Sequence, residues 1–280
     1  MKRYFAGIIA CFLLISCLTG CKGEPEPENA SSVSTEAQAP EPTLYPAEIY
    51  SQLSNDKIAW GLKKVKGEKP EVPESITKTL SEFDGVYLSK SGGKNLYLTF
   101  DEGYENGYTG QILDVLKKTQ TPAAFFITGD YLKNEAELVK RMVDEGHIVG
   151  NHTQNHPSMP EVPDVTTLAK EITGLDEQFF ALTGQHMRYL RPPKGEFSEK
   201  TLAVSKDLGY KSVFWSFAYA DWEKDKVNGA QYAYDHVMPY LHDGAILLLH
   251  AVSKDNADAL EQIITDAKAA GYTFKSLDEL

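Results

Sequence analysis

Short apolar runs alternate with helical patterns along the chain after residue 94, and few folds accommodate this alternation. Seven runs are predicted as buried parallel strands, namely Leu96–Phe100, Ala123–Ile127, His147–Gly150, Arg188–Leu190, Ser212–Phe217, Ala245–Leu249 and Tyr272–Phe274. The segments between them have helical periodicity, and several end at a glycine. Roughly seven β/α units in succession predict either a parallel barrel or a doubly wound sheet.

Reactive side chains follow the ends of the predicted strands. In chain order they are Asp101 and Glu102, His152 and His156, Arg191, Asp221 and Trp222, and His250. In a parallel barrel the loops after the strands share one face, and active sites are built there. We therefore expect these residues to meet at one mouth of the barrel.

Two adjacent acids, Asp101 and Glu102, end the first predicted strand and precede Gly103. Successive side chains of a strand point to opposite sides, so one acid can face substrate while the other meets a partner such as a metal. Acids after a strand also serve as turn formers and helix caps. The two acids alone favour that simpler interpretation, and the histidines and arginine at the other strand ends reverse the preference.

The N-terminus has the pattern of an exported lipoprotein. A basic pair precedes an almost uncharged run over residues 4–18, which is too short for an ordinary membrane span and predicts a signal peptide over residues 1–20. Residues 18–21, Leu-Thr-Gly-Cys, resemble a bacterial lipobox, and this resemblance implies lipidation of Cys21. The alternative is a plain signal peptide with an incidental cysteine. In either case no cysteine pair remains for a disulfide in the exported domain.

The segment over residues 21–45 is rich in Glu, Pro, Ser and Ala. It buries too little apolar surface to offset the entropy of ordering, so we predict a disordered acidic tether. The formal net charge is −12, which argues against nucleic acid and anionic lipid as partners. We expect a monomer that the lipid anchors to the cell membrane, outside the cytoplasm and facing the wall.

The rest of the chain is long enough for one barrel-sized domain with a substantial core. Residues 46–93 are predicted to form an N-terminal extension that packs on the barrel. Residues 94–280 are predicted to form the catalytic domain.

Five segments, in this order, match the motifs of a known family. They are Thr99-Phe100-Asp101-Glu102-Gly103, His152-Thr153-Gln154-Asn155-His156, Arg191-Pro192-Pro193-Lys194-Gly195, Ala220-Asp221-Trp222 and Leu248-Leu249-His250. On these segments the chain resembles the polysaccharide deacetylases of carbohydrate esterase family 4. The resemblance implies a distorted parallel (β/α) barrel of about seven strands and the hydrolysis of sugar N-acetyl groups.

Two further segments resemble one subgroup of that family, the δ-lactam-biosynthetic de-N-acetylases. These segments are Tyr104-Glu105-Asn106-Gly107-Tyr108-Thr109 and Ile58-Ala59-Trp60-Gly61. The subgroup acts on N-acetylmuramic acid in glycan strands of peptidoglycan that have lost their stem peptides. The resemblance therefore implies a step towards the muramic-δ-lactam of spore cortex, and a link to sporulation.

The resemblance also implies acid and base roles. Asp101 would be the general base, and Arg191 would hold it ionised and oriented. His250 would protonate the leaving amine, and Asp221 would orient His250 and raise its pKa. Taken singly, Arg191 is equally consistent with a surface ion pair.

A divalent metal, with zinc expected, is implied by the resemblance, with Glu102, His152 and His156 as its ligands. Two histidines four residues apart offer two imidazoles to one cation and leave positions open for water or substrate. The family usually has Asp where this chain has Glu102. The longer side chain can still coordinate the metal after a rotamer change, or it can swing away and leave a weaker site of two histidines.

Four residues are expected at the substrate. The resemblance implies that Trp222 and Leu248 shape a pocket for the acetyl methyl, and that the backbone N–H of Lys194 binds the developing oxyanion. Core packing explains Leu248 equally well. Glu105 either touches substrate or caps the helix that follows it.

Three functions remain open from the sequence. The resemblance favours a metal-dependent de-N-acetylase acting on N-acetylmuramic acid in peptidoglycan. An enzyme of the same family could instead act on N-acetylglucosamine polymers or on sugar O-acetyl esters. A catalytically inactive glycan-binding lipoprotein is the third possibility, and only Glu102 suggests it.

Overall fold

The computed structural model describes residues 46–280, which fall within one compact unit. The predicted signal peptide, the lipidation site Cys21 and the acidic tether lie outside the described residues. None of the helices in the described part of the chain is long and apolar enough to cross a membrane.

Strands and helices alternate along the described chain. The strands are β1 (Ile58–Ala59), β2 (Asn95–Glu102), β3 (Ala123–Ile127), β4 (Ile148–Asn151), β5 (Tyr189–Leu190), β6 (Glu196–Phe197), β7 (Lys211–Ser212), β8 (Ala245–His250) and β9 (Thr273–Phe274). The α-helices are α1 (Ala47–Tyr50), α2 (Glu74–Glu82), α3 (Thr109–Thr119), α4 (Gly129–Asn134), α5 (Ala136–Asp144), α6 (Val165–Thr183), α7 (Glu199–Asp207), α8 (Ala230–Val237) and α9 (Lys254–Ala269).

The main sheet is parallel and has the order β7-β5-β4-β3-β2-β8, with β9 paired to the start of β2. The chain advances in one direction from β2 to β7, and β8 then returns to the other side of β2. Between the two outer strands, Val86 pairs with Val213 and Leu88 pairs with Ala245. The sheet thus curls towards closure, which confirms the distorted parallel barrel of about seven strands and not the doubly wound sheet.

Side chains of β2 alternate between two apolar layers. Leu98 and Phe100 belong to the main core, which also contains helix residues such as Ile112. Tyr97 belongs to a smaller cluster with Phe126 that includes no residue of a described α-helix. Because alternate side chains share a face, Asp101 ends on the inner side of the barrel with Tyr97, and the residue after it faces the helices.

The strand predicted over Ser212–Phe217 is formed only at its start, because β7 ends at Ser212. Beyond it, the N–H of Phe214 donates to the carbonyl of Val86 at 2.7 Å, and that of Ser216 donates to Ile246 at 3.0 Å. The segment changes partners along its length. The segment has the apolar composition of a strand, but its backbone hydrogen bonds do not form a continuous ladder with one neighbouring strand.

Residues before β2 contact the barrel near the ends of its strands. Strand β1 pairs antiparallel with β6, and the Trp60 indole N–H donates to the carbonyl of Trp215 at 3.0 Å. Trp60 also packs in a third apolar cluster with Phe197 and Phe214. These contacts place the Trp60 ring beside the cavity described next.

Candidate active site

A cavity of about 720 Å³ lies at the carboxyl ends of the barrel strands. It brings together seven of the residues predicted for the site: Asp101, His152, His156, Lys194, Trp222, Leu248 and His250. Arg191 and Asp221 are buried behind its wall, where each contacts a lining residue. Glu102 and Glu105 do not line it.

Asp101 is held by a buried arginine. The Arg191 guanidinium is 0 % exposed and donates to Asp101 Oδ1 at 2.7 Å, to the Thr99 hydroxyl at 2.9 Å and to the Val213 carbonyl at 3.0 Å. It also lies 4.1 Å from the centre of the Phe126 ring. Burial alone would raise the pKa of Asp101, but the adjacent Arg191 guanidinium outweighs it and holds that pKa below its usual value. Arg191 is therefore part of a buried pair and not of a surface one.

The two histidines of the second motif face each other across a tight turn. His152 Nδ1 donates to the carbonyl of Arg191 at 2.7 Å, which leaves Nε2 free of its proton. That Nε2 lies 3.2 Å from His156 Nε2 and 3.5 Å from Asp101 Oδ2. Thr153 and His156 have positive φ values of 66° and 56°, the left-handed backbone that turns the second ring back towards the first.

Burial keeps both imidazoles neutral. It lowers the pKa of His152, and with the neighbouring His152 it lowers the pKa of His156 to about 4. Neutral imidazole is the form that ligates a metal. The pair is thus ready to act as a ligand at neutral pH.

Glu102 lies apart from these histidines, so the predicted set of three ligands is not assembled. The alternation along β2 points Glu102 away from Asp101 and towards the helices, where it is 0 % exposed and neither carboxyl oxygen has a hydrogen-bond partner. Burial, followed by the charges of Glu105 and Asp101, raises the pKa of Glu102 well above its usual value. The arrangement corresponds to the second alternative from the sequence, in which two histidines remain.

Two of the three predicted ligands, His152 and His156, are still placed so that they could hold a divalent cation. Among residues 46–280 no three His, Cys, Asp or Glu side chains are grouped so as to hold a metal ion. The 3.2 Å between His152 Nε2 and His156 Nε2 is nevertheless close to the separation of two nitrogens bound to one zinc at about 2.1 Å. A cation held by these two histidines would take its remaining ligands from water or substrate.

His250 and Asp221 form the other reactive pair. His250 Nδ1 donates to Asp221 Oδ1 at 2.7 Å, and the His250 backbone N–H donates to Asp221 Oδ2 at 2.9 Å. Burial lowers the pKa of His250, but Asp221 outweighs it and raises that pKa above 6.5. With Nδ1 occupied, Nε2 is the nitrogen left to face the cavity.

The predicted substrate residues divide into two groups. Trp222 is 53 % exposed at the rim, whereas Leu248 is buried in the cavity wall. Lys194 has a φ of 59°, an uncommon backbone for a side chain other than glycine, and lines the same wall. Glu105 instead accepts from the N–H of Gly107 at 2.5 Å, from the N–H of Thr109 at 3.3 Å and from the Thr109 hydroxyl. It therefore holds the first residue of α3 and binds one of the free N–H groups at the start of that helix.

Two residues at the site had no clear signal in the sequence. Trp215 lines the cavity from outside every motif, whereas Trp60 and Tyr104, which also line it, belong to the two segments that resemble the δ-lactam subgroup. Asn256 is buried and donates to Asp221 Oδ2 at 2.6 Å. A polar residue in the first turn of a helix is ordinarily explained by capping, so the pattern alone could not distinguish Asn256.

Comparison with known proteins gives the same family. Residues 89–213 match the family model for polysaccharide deacetylase. The chain is 46% identical over 230 residues to the peptidoglycan-N-acetylmuramic acid deacetylase PdaA of Bacillus subtilis, which covers 81% of this chain and 87% of PdaA. It is 31% identical over 222 residues to the peptidoglycan-N-acetylglucosamine deacetylase PgdA of Listeria monocytogenes, covering 78% of this chain and 46% of PgdA.

A solved structure agrees with this relationship. The structure of Bacillus subtilis PdaA, a family 4 carbohydrate esterase, matches with a TM-score of 0.79 over 81% of this chain and 98% of that one. Each of the five motifs that suggested the family contributes at least one residue to the lining of the cavity. The chain belongs to the polysaccharide deacetylase family, carbohydrate esterase family 4.

Proposed function

We propose that the protein hydrolyses the N-acetyl group of N-acetylmuramic acid in peptidoglycan. The observation that carries this proposal is a pair of titratable groups on one cavity with opposite shifts. The pKa of Asp101 is lowered, so it keeps its charge to lower pH than an ordinary aspartate, whereas the pKa of His250 is raised, so it keeps its proton to higher pH than an ordinary histidine. A base and an acid separated in this way by their surroundings suit the hydrolysis of an amide near neutral pH.

The base acts on water. Asp101 accepts a proton from the water that attacks the acetamide carbonyl, and Arg191 stabilises the carboxylate and fixes its angle. Attack forms the new carbon–oxygen bond and places negative charge on the carbonyl oxygen. The backbone N–H of Lys194 is the proposed donor to that oxygen.

The acid acts on the leaving nitrogen. His250 Nε2 gives its proton to the sugar nitrogen as the carbon–nitrogen bond breaks, because an amide anion is too poor a leaving group. Asp221 stabilises the imidazolium before the transfer. The products are acetate and a free amine on the sugar.

His152 and His156 would hold a divalent cation, with zinc as the proposed ion. Such a cation supplies Lewis-acid polarisation of the acetamide oxygen. The carbonyl of Arg191 orients His152 for this role. Arg191 therefore contacts both the proposed metal ligand His152 and the proposed base Asp101.

The sugar is proposed from the relatives. PdaA acts, by its name, on N-acetylmuramic acid and is 46% identical to this chain, whereas PgdA acts on N-acetylglucosamine and is 31% identical. The two segments that resemble the δ-lactam subgroup lie at the same cavity, through Trp60 and Tyr104. We extend the proposal to glycan strands without stem peptide, on the route to the muramic-δ-lactam of spore cortex.

The location follows from the same proposal. An enzyme that acts on the wall works outside the cytoplasmic membrane. We propose that a lipid on Cys21 anchors the protein there as a monomer, with the acidic segment over residues 21–45 as its tether. Growth with a labelled fatty acid, followed by comparison of the wild type with Cys21→Ala, tests the anchor.

Acetate release by the purified full-length protein in detergent tests the activity. The substrates are peptide-stripped glycan, intact peptidoglycan and chitin oligomers, each with zinc and with a chelator. The proposal expects release from the stripped glycan and a loss of rate with the chelator. A folded protein that binds the glycan and releases no acetate would instead support the inactive binding module.

A further inference from the structure

The first turn of α9 contacts the acid half of the site. Asn256 is 1 % exposed, and its backbone N–H is capped by the Ser253 hydroxyl at 3.3 Å. Its side chain donates to Asp221 Oδ2 at 2.6 Å and to the carbonyl of His250 at 3.2 Å, while its oxygen accepts from the Tyr219 hydroxyl. Because an ionised carboxylate only accepts, the amide nitrogen must face Asp221.

Asp221 is held by three donors. Two of them, the ring Nδ1 and the backbone N–H, belong to His250 itself. The third is the amide of Asn256, which comes from a different element. Within residues 46–280, Asn256 is therefore the donor that fixes the carboxylate relative to the rest of the fold and not only to the histidine it orients.

The neighbouring residue secures the loop that carries Trp222. Asp255 is buried and accepts from the backbone N–H groups of Asn228 at 2.8 Å and Gly229 at 2.9 Å. The loop between Asp221 and Gly229 is thus tied at both ends to consecutive residues of α9. One helical turn sets the position of the acid pair and of the rim beside it.

We propose that Asn256 is a positioning residue, which holds Asp221 at the angle that aims His250 Nε2 at the leaving nitrogen. The inference rests on the proposed function. Asn256 touches no substrate, so its loss should lower kcat and leave KM unchanged. A misplacement of a reacting group by about 1 Å can cost about 10²-fold in rate, and we expect a fall in kcat of about 10- to 100-fold for Asn256→Leu.

A second variant, Asn256→Asp, makes the effect depend on pH. The introduced carboxyl, while protonated, can donate its one proton to Asp221 and accept from Tyr219, and it lacks only the longer bond to the carbonyl of His250. Burial beside Asp221 raises its pKa, and once it ionises it repels Asp221. The charged and titratable groups that face this position, directly or through the acid pair, are Asp221, His250, Tyr219, Asp255, Lys64, Asp101 and Arg191.

The activity test compares both variants with the wild type from pH 5 to 9. The ratio of Asn256→Asp to wild-type kcat should be near one at about pH 5 and fall as the introduced carboxyl ionises. The ratio for Asn256→Leu should stay low throughout. Ala259→Gly is the control, because it weakens the buried face of the same helix by about 1 kcal/mol without touching Asp221, and its kcat should be unchanged.

A spectroscopic test requires no substrate. The proton between His250 Nδ1 and Asp221 gives a low-field NMR resonance, which should broaden in Asn256→Leu and persist in Ala259→Gly. If Asn256→Leu folds, keeps wild-type kcat and keeps a sharp resonance, Asn256 has no positioning role. If the wild type releases no acetate from any glycan, the proposed function fails, whereas the resonance still decides whether Asn256 orders the pair.

Discussion

Asp101 and Asp221 are both buried carboxylates, and their partners give them opposite uses. The Arg191 guanidinium binds one oxygen of Asp101 and stabilises the charge of the carboxylate, while Asp101 still lines the cavity. The Asp221 side chain is buried and accepts from His250 and Asn256, and in the proposed mechanism it acts only through His250. At the scale of single residues, the chemistry is set by the partner of each acid.

Asp101→Asn should lower kcat by about 10²-fold or more, because the amide cannot accept a proton from water. The fold should survive, since the amide oxygen can still accept from Arg191. Acetate release and thermal unfolding are the measurements. Asp144→Asn is the control, at an exposed acid of α5 remote from the cavity. Near-wild-type activity in folded Asp101→Asn would show that another group is the base.

Asp221→Asn should move the alkaline limb of the kcat/KM profile to lower pH. His250 must carry a proton to act, and Asp221 raises its pKa, so removal of that negative charge lowers the pH at which the proton is lost. We expect a shift of about one pH unit or more. Asp225→Asn, at an exposed acid of the same loop, should leave the limb in place. An unmoved limb in Asp221→Asn would assign the acid to another residue.

Glu102→Gln should leave metal affinity within about twofold of wild type, because the alternation of β2 points this buried side chain to the helix side of the strand and away from the two histidines. His156→Ala should lower that affinity by about tenfold or more, since it removes one of two imidazole ligands. Equilibrium dialysis with zinc measures both. A large loss in Glu102→Gln would show that the carboxylate reaches the metal after all.

The residues of the site were largely predictable, and their orientation was only partly so. Asp101, Arg191, His152 and His250 could be placed at strand ends from the sequence, and the structure brings them to one cavity. The alternation of β2 also predicted that the two acids diverge. The resemblance nevertheless assigned Glu102 to the metal, and the strand geometry favours the helix side instead.

At the scale of elements, close packing between strands leaves little room inside the barrel. A Cβ added at Gly150 in β4 would lie 2.6 Å from the Phe126 ring and 3.3 Å from the carbonyl of Tyr189. The ring of Phe126 in turn supports the Arg191 guanidinium. The inner layer therefore connects strand packing to the buried ion pair of the site.

Gly150→Ala should destabilise the protein by about 1–3 kcal/mol, because the interior must shift to admit one methyl group. For a domain of this size that lowers the melting temperature by roughly 2–4 °C per kcal/mol. Gly110→Ala is the matched control, since an added Cβ there meets nothing within 4 Å and removes a glycine from the helix α3. An unchanged melting temperature for Gly150→Ala would contradict the tight inner layer.

Elements with uniform partners were predicted well, and those that change partners were not. Strands β2, β3 and β8 pair along most of their length with the same neighbours, and their apolar runs marked them closely. The run over Ser212–Phe217 kept a strand-like composition although its hydrogen bonds pass from Val86 to Ile246. Composition reports burial, whereas regular pairing depends on neighbours that are distant in sequence.

At the scale of the whole molecule, the barrel gathers residues from six separate segments into one cavity. Contacts from the segment before β2 add Trp60 to its wall and bridge the outer strands at Val86 and Leu88. The sequence did not predict which residues pair in these contacts, because an isolated bridge leaves no repeating pattern of apolar residues in the sequence. The same contacts make the segment before β2 part of the site and not only a support for it.

The most direct test of the proposed activity asks which sugar loses its acetyl group. Peptide-stripped glycan is incubated with the full-length protein, digested to single sugars, and analysed by mass spectrometry for muramic acid and glucosamine with free amines. We predict free amines on muramic acid alone, and none with Asp101→Asn. Free amines on glucosamine, or on neither sugar, would contradict the assignment of this protein as an N-acetylmuramic acid deacetylase.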